Sequence, residues 1–197
     1  MAIEAGAHAI GLVGPMPSGP GVISDEDIAS IAAFANPLVN TFLLTSEQTA
    51  KGIITHYNKV NTTTIQLVDK VDLDTLKALR DQLPNVEMVQ VIHVQDEADI
   101  EMASQIAPLV DAILLDSGNP SAKVKTLGGT GKTHDWSISK RIVKAVNVPV
   151  YLAGGLNVNN VERAIQEVNP YGLDLCSGLR TNGYLDAEKL HAFFARV

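Results

Sequence analysis

The 197-residue chain has few of the sequence features that mark disulfide-bonded, zinc-binding, membrane or secreted proteins. Its single cysteine, Cys176, excludes an internal disulfide and suits a reducing compartment. It has no Cys/His cluster at zinc-ligand spacing. Its apolar runs are about strand length, well short of the roughly 20 residues that span a bilayer. The start, MAIEAGAHAIG, lacks the basic and apolar regions of a signal peptide. We therefore expect a cytoplasmic protein without a membrane partner or a metal.

Positive charge is also scarce. The chain has 15 Lys and Arg residues and 22 Asp and Glu residues, which gives a net charge of -7. It contains no basic run of five residues. Because nucleic-acid binding relies on clustered Lys and Arg, we exclude that class of partner. Apolar residues make up 46% and charged residues 19%, which is typical of globular proteins. The length predicts a single domain over residues 1–197.

The stretch TLGGTGKTHDW (126–136) lacks one glycine of a P-loop. The P-loop pattern G-x-x-x-x-G-K-[ST] requires glycine five residues before Gly131, where this chain has Thr126. The pattern also needs a strand directly before it, whereas the nearest strand-like run, AILLD, ends ten residues upstream of Thr126 at Asp116. The sequence therefore argues against an ATP site.

Short apolar runs rich in β-branched residues recur, each followed by a segment with helical period. The expected strands are HAIGLVG (8–14), LVNTFLL (38–44), TTIQLV (63–68), VEMVQVIHV (86–94), AILLD (112–116), VPVYLAG (148–154) and GLDLCSG (172–178). The expected helices lie at 24–35, 45–57, 72–83, 96–107, 135–146, 157–168 and 185–197. Most begin with Ser, Thr, Asp or Asn, the preferred N-cap residues.

A helix after each strand indicates crossover connections and a parallel sheet. Ahead of the first strand, MAIEAGA is interpreted as the last turns of a further helix. The pattern predicts an α/β fold, a (βα)8 TIM barrel without its first strand and most of its first helix. A doubly wound open sheet is the alternative.

In both architectures, ligands bind at the C-terminal ends of the strands. Two late strand ends, AGGLN (153–157) and CSGLR (176–180), are rich in glycine. Glycine lets backbone N–H groups approach an anion, and the next helix adds a favourable dipole. In a barrel lacking its first strand, these ends follow strands seven and eight, where phosphate sites are common. Tight turns without a ligand are the alternative.

Asp116 ends the apolar run AILLD, which brings one carboxylate to this face. In surroundings that raise its pKa, such a carboxylate can act as a general acid. A helix N-cap or a loop salt bridge is the alternative.

Three segments resemble phosphoribosylanthranilate isomerases of tryptophan biosynthesis: LLDSG with LGGTGKTHDWS, PVYLAGGLNVNNVERAI, and NPYGLDLCSGLRTNGYLDAEKLHAFF. EAGAHAIGLVG and IQLV match more weakly. The resemblance covers nearly the whole chain in order and is most specific over 111–193. It implies a (βα)8 barrel that performs an Amadori rearrangement of a phosphoribosyl arylamine, without metal or organic cofactor.

The resemblance also implies residue roles. Asp116 matches the acid that protonates the furanose ring oxygen and opens the ring to a Schiff base. Backbone amides of the last two loops would hold the phosphate, and the loop after Asp116 would enclose the substrate. The matching residues are Gly154, Gly155, Ser177 and Gly178 for the phosphate, and Gly129, Thr130 and Gly131 for the enclosing loop.

The family's general base is a cysteine in a first-strand Lys-Ile-Cys-Gly segment, which these 197 residues do not contain. Cys176 occupies a position where the family usually has Ser, and we expect it to be a small buried residue. Gly21 stands in place of a substrate-contacting Arg, and Val68 in place of a His. Arg180 stands where an acidic residue is common, and it is expected either to restore positive charge near the substrate or to lie in solvent.

The histidines differ in what they predict. His93 ends a strand where the family often has Arg, so we expect it to face the substrate. His134 lies beside the glycine-rich loop and could touch a ligand, whereas the adjacent Asp135 is expected to cap a helix. His56 and His191 fall in helical segments and are expected at the surface.

Two functions remain open. The first is an isomerase whose first strand lies upstream of Met1, in which case the 197-residue chain is expected to have little or no turnover. The second is a divergent barrel that binds a phosphorylated ligand without isomerising it, because Gly21, Val68 and Arg180 depart from the family while the phosphate loops match. A homodimer is expected, since a partner could cover the gap in the barrel wall.

Overall fold

Seven parallel strands form the central sheet of the computed structural model, which describes residues 1–17, 21–35, 38–118 and 133–197. All seven predicted strands are present, and the run 112–116 has the predicted bounds. The strands are β1 (Ala9–Val13), β2 (Asn40–Thr45), β3 (Thr64–Leu67), β4 (Glu87–His93), β5 (Ala112–Asp116), β6 (Val150–Leu152) and β7 (Gly172–Leu173).

The strands lie side by side in chain order, each paired in parallel with the next. A doubly wound sheet would reverse its strand order at a switch point, so this order contradicts that alternative. Consecutive βα units in unbroken order are the wall of a βα barrel, as the sequence predicts. Within the described residues, β1 pairs with β2 and, through a single bridge from Val13, with Val22, and β7 pairs only with β6.

Seven helices were predicted, and the described ranges contain all of them. They are α1 (Asp25–Ala35), α2 (Ala50–Val60), α3 (Leu73–Gln82), α4 (Ala98–Ile106), α5 (Trp136–Ala145), α6 (Val161–Val168) and α7 (Ala187–Phe194). The predicted start of α2 at residue 45 is wrong. Thr45 still belongs to β2, and Thr49 caps the helix by accepting a hydrogen bond from the Gly52 amide. None of the described helices is long and apolar enough to cross a bilayer.

Residues 2–6 form hydrogen-bonded turns rather than the helix expected for MAIEAGA. The Ala5 amide donates to the Met1 carbonyl at 3.0 Å, and the Gly6 amide donates to the Ile3 carbonyl. Gly6 has a φ of 107°, outside the helical region, which ends any helical path at this point.

Alternation along the strands divides the core between the two faces of the sheet. Ile113 and Leu115 of β5 pack with the helices in the largest apolar cluster. Ala112 and Leu114 point the other way and pack with Val89 and Val91 of β4 in a smaller cluster on the concave face. Asp116 continues this second set, so the same alternation turns its side chain toward the concave face.

The prediction that His56 lies at the surface is wrong, because the residue is only 8% exposed. Its Nδ1 atom lies 2.9 Å from the Thr45 hydroxyl. Its Nε2 atom lies 3.1 Å from Asp25 Oδ1, although neither of these two atoms has a hydrogen bond of acceptable geometry. Gly14 leaves room for the ring, since a Cβ there would come within 2.4 Å of it.

A short antiparallel hairpin, which the sequence reading missed, follows β7. Its strands are β8 (Arg180–Thr181) and β9 (Tyr184–Leu185). Asn182 and Gly183 between them both have positive φ, at 50° and 84°. This is the backbone of a type I′ turn, for which Asn-Gly is the favoured sequence. The hairpin fixes the position of Arg180 next to the last glycine-rich loop.

Candidate active site

Asp116 is buried at the C-terminal end of β5, where the sequence predicts a functional carboxylate. Its Oδ1 atom accepts a hydrogen bond of 2.7 Å from the Ser117 amide. This bond holds the carboxyl group close to its own backbone. The other oxygen, Oδ2, is directed toward the neighbouring strand.

His93 lies opposite Asp116 across β4 and β5, because the two residues are register partners. Its Nδ1 atom is 4.0 Å from Asp116 Oδ2, and both side chains are buried. Its Nε2 atom is 2.9 Å from the Val68 carbonyl oxygen. His93 therefore faces the predicted acid directly. Its contact with substrate stays a prediction.

Asp174 is a third ionisable group at this end of the sheet, and the sequence reading did not select it. It follows β7, and its amide donates to the Leu152 carbonyl at 2.9 Å. Removal of the carboxyl from bulk water and the charge of Asp116 raise its pKa to about 6. Asp174 is nonetheless exposed, so solvent screening weakens this effect.

His134 approaches the same carboxylate from the segment before α5. Its burial lowers the pKa of the imidazole, while the negative charges of Asp116 and Asp135 act in the opposite direction. Its Nε2 atom lies 2.6 Å from the Ser139 hydroxyl. Asp135 caps α5 by accepting from the Ser137 amide, which confirms that prediction.

The two glycine-rich loops predicted to hold a phosphate lie against each other. Gly154 and Gly155 have φ values of 82° and 65°, a left-handed pair that glycine adopts without strain. A Cβ at Gly178 would come within 2.0 Å of the Leu156 carbonyl oxygen, so the loops approach through their backbones. Among the described residues, the Gly154 and Gly155 amides have no hydrogen-bond acceptor.

The predicted acid and the first of these loops are adjacent at the C-terminal end of the sheet. A Cβ at Gly154 would lie 2.8 Å from the Ser117 hydroxyl, and Ser117 directly follows Asp116. Ser177 is exposed in the 3-10 turn that carries Gly178. Asp116, Gly154, Gly155, Ser177 and Gly178 are thus brought to one end of the sheet.

The backbone around Gly155 is fixed by amide side chains. The Gly155 carbonyl accepts from Asn157 Nδ2 at 3.1 Å and from Asn160 Nδ2 at 3.0 Å. Asn160 Oδ1 in turn accepts from the Asn157 amide. The asparagines of LNVNN therefore hold the loop open without a metal or a charged group, a role that the sequence reading did not assign.

Arg180 comes from the hairpin to the same end of the sheet as Gly21. Its Nη2 atom is 3.9 Å from the point where a Cβ of Gly21 would lie. Its Nη1 atom donates to the Gly183 carbonyl at 2.7 Å. The guanidinium therefore lies beside the position where the resemblance places the family's substrate-contacting Arg.

Two further sequence predictions concern Cys176 and residues 129–131. Cys176 is exposed, so the prediction of a small buried residue is wrong. The thiol belongs to the loop after β7, a strand that pairs on one side only within the described residues. Gly129, Thr130 and Gly131, predicted to enclose the substrate, lie outside the described residues.

Comparison with known proteins gives this geometry a context. The family described as N-(5'phosphoribosyl)anthranilate (PRA) isomerase matches residues 8–196. The chain belongs to this family. A relative from Methanosarcina mazei, N-(5'-phosphoribosyl)anthranilate isomerase 2, is 36% identical over 199 residues, which cover 100% of this chain and 87% of the relative.

Solved PRA isomerase structures share the fold. The phosphoribosyl anthranilate isomerase of Thermotoga maritima aligns with a TM-score of 0.82 at 27% identity, over 99% of this chain and 90% of that one. Another PRA isomerase, solved in complex with reduced 1-(o-carboxyphenylamino)-1-deoxyribulose 5-phosphate, aligns with a TM-score of 0.79 at 24% identity, over 99% and 89%. The PRA isomerase resemblance noted in the sequence is thereby confirmed, with its place in tryptophan biosynthesis.

Proposed function

We propose that the chain binds N-(5'-phosphoribosyl)anthranilate at the C-terminal end of the sheet, with Asp116 as the acid of the Amadori rearrangement. The observation that carries this proposal is the close approach of Gly154 to Ser117, whose amide donates to Asp116. A sugar phosphate can span from a carboxylate to adjacent backbone amides, which is the arrangement that this reaction requires.

Each part of the site has a separate task. The left-handed Gly154–Gly155 turn and the loop of Ser177 and Gly178 would present amides to the phosphate. Asp116 would donate a proton to the furanose ring oxygen as the ring opens.

The turnover test uses the chain alone and the chain fused at its N-terminus to a strand carrying Lys-Ile-Cys-Gly. The resemblance assigns the general base to that segment, so the fusion is expected to be active and the 197-residue chain weak or inactive. Asp116→Asn keeps the shape of the side chain but removes the acid. We expect it to lower turnover by a factor of about 10² to 10⁴. Undiminished turnover in Asp116→Asn would show that the acid is misassigned.

The binding test uses calorimetry with reduced 1-(o-carboxyphenylamino)-1-deoxyribulose 5-phosphate. Gly178→Ala should weaken binding about tenfold or more, because the new methyl group forces apart the loops at Leu156. Cys176→Ala, an exposed position in the same loop, is the matched control and should bind as the unmodified chain does. Equal binding by both variants would contradict the phosphate assignment.

A second candidate is a barrel that binds a phosphorylated ligand without isomerising it. It is favoured by Gly21 and Val68, which stand where the resemblance places an Arg and a His. Binding of the analogue without turnover, even in the fusion, would support this alternative. A cytoplasmic location, a homodimer and the roles of the individual site residues remain proposals.

A further inference from the structure

The tautomer of His93 follows from its contact with Val68. A backbone carbonyl oxygen can only accept a hydrogen bond, so the 2.9 Å contact places a hydrogen on Nε2. In the neutral ring, Nδ1 then carries a lone pair. Nδ1 has no hydrogen-bond partner in the described parts of the chain, and it faces Asp116 Oδ2 at 4.0 Å.

The pair lies in a buried setting with few ways to satisfy that lone pair. The His93 side chain is 4% exposed and the Asp116 side chain 10%. His134 before α5 and Asp174 after β7 interact electrostatically with Asp116, and Asp69 after β3 and Asp99 in α4 are also buried.

We propose that His93 is a positioning residue that holds, on Nδ1, the proton that Asp116 delivers to the substrate. His93 and Asp116 then bind one proton jointly, as imidazolium with carboxylate or as imidazole with carboxylic acid. This inference rests on the proposed isomerase function for its role, while the coupling itself is a property of the free protein.

In the proposed ring-opening step, the bond between the anomeric carbon and the ring oxygen breaks. Its electron pair stays on the oxygen, which takes the proton from Asp116. The nitrogen lone pair of the arylamine forms the C=N bond of a protonated Schiff base, which keeps the N–H proton. Asp116 takes the Nδ1 proton of His93, and solvent later returns a proton to the imidazole. No oxidant, reductant or metal enters this step.

The first test does not require activity. Nitrogen-resolved NMR of the histidine rings should show His93 with its hydrogen on Nε2 when neutral, and should give its pKa. Asp116→Asn removes the facing negative charge, so the proton affinity of His93 should fall about tenfold or more. Exposed His191 on α7 is the internal control and should not change. An unchanged His93 titration, or a hydrogen on Nδ1 alone, would overturn the proposal.

The second test is the pH profile of turnover in the fused chain. In His93→Gln the side-chain amide can still donate to the Val68 carbonyl, and in His93→Asn the shorter amide is directed toward Asp116. Neither side chain holds a titratable proton. Loss of the shared proton should move the high-pH limb of kcat/KM about one pH unit lower in both variants, a tenfold loss at a fixed pH on that limb. His191→Gln should leave the limb in place.

The outcomes of the two tests separate the failures. If the His93 variants lower the maximum of kcat/KM but leave its high-pH limb at the same pH, His93 is only structural. This result would overturn the inference and leave the isomerase proposal intact. An inactive protein that still shows His93–Asp116 coupling would refute the isomerase proposal but not the shared proton. If the His93 variants do not fold, the Asp116→Asn titration still decides.

Discussion

Arg180 supplies a positive charge from an unexpected element. The guanidinium reaches the space beside Gly21 from the β8–β9 hairpin. Gly21 has a φ of 86°, so an arginine at that position would strain the backbone. Arg180 therefore brings a cation beside Gly21 from a different part of the chain.

We expect Arg180→Gln to weaken binding of the carboxylated phosphate analogue about tenfold, because a charge-assisted hydrogen bond contributes about 1.5–3 kcal/mol. The effect should be smaller for inorganic phosphate if the guanidinium binds the anthranilate carboxylate. Calorimetry with both ligands makes the comparison. Arg196→Gln, which removes an exposed partner of Glu162, is the control. Unchanged affinity for both ligands would place Arg180 in solvent.

Single residues also show where sequence reading reached its limit. Asp116 was predictable because four apolar residues, AILL, indicate a buried strand, and the aspartate follows them directly. Asp174 was missed because β7 ends at Leu173, whereas GLDLCSG reads as one longer strand. Alternation from Gly172 would have placed Asp174 on the concave face with Asp116.

At the scale of elements, aspartates begin three of the helices. Asp72, Asp135 and Asp186 are the N-caps of α3, α5 and α7, and each side chain accepts a backbone amide. Hydrogen bonds from Thr75, Ser137 and Thr181, respectively, lower the pKa values of these carboxyl groups. Their charged forms are thus favoured by the folded chain.

A lowered pKa contributes stability that is present above the unfolded value and lost as pH falls through the folded value. We therefore expect the free energy of unfolding to fall between about pH 5 and about pH 3. Replacing all three caps with Asn keeps an acceptor but removes the titration, so this variant should lose less stability over the same range. Urea unfolding at both pH values measures the difference.

The control removes three carboxylates from non-cap positions, Asp81→Asn, Glu101→Gln and Glu167→Gln. This control should keep the acid dependence of the unmodified chain. An equally steep loss in the Asn-cap variant would contradict the prediction.

The cap residues explain why helix order was predictable and some boundaries were not. Asp72, Asp135 and Asp186 each stand directly before a periodic apolar segment, which marks the start of the helix. At α2, both Thr45 and Thr49 are suitable N-caps. Thr45 pairs with Leu67 in the sheet, so the helix begins after Thr49. At 180–185, the Asn-Gly turn signal was available, but the longer helical pattern nearby obscured a hairpin of two-residue strands.

For the whole molecule, the sheet has two edges within the described residues. β1 is one edge, covered at Val13 by the bridge to Val22, and β7 is the other, and the uncovered parts carry backbone groups able to pair with another strand. The chain also exposes large apolar side chains near these ends, including Tyr171, Tyr184 and Val22. Such edges favour self-association.

We expect the 197-residue chain to sediment as a dimer or to associate as its concentration rises. Sedimentation velocity over a range of concentrations tests this expectation. In the chain fused to the Lys-Ile-Cys-Gly strand, pairing of that strand with an edge should reduce the association. A monomer at every concentration, with or without the fused strand, would contradict it.

The unbroken strand order has a consequence for cooperativity. Each unit pairs with the units before and after it in the chain, so the molecule is close to a one-dimensional array. Strands β2 to β6 have strand neighbours on both sides, whereas β1 and β7 are at the edges and can separate without disturbing the centre. Hydrogen exchange should therefore be slowest where Asp116 and His93 lie. His93 and Asp116 then belong to the most persistent part of the fold, and Ser177, Gly178 and Arg180, which follow the edge strand β7, belong to the part that opens first.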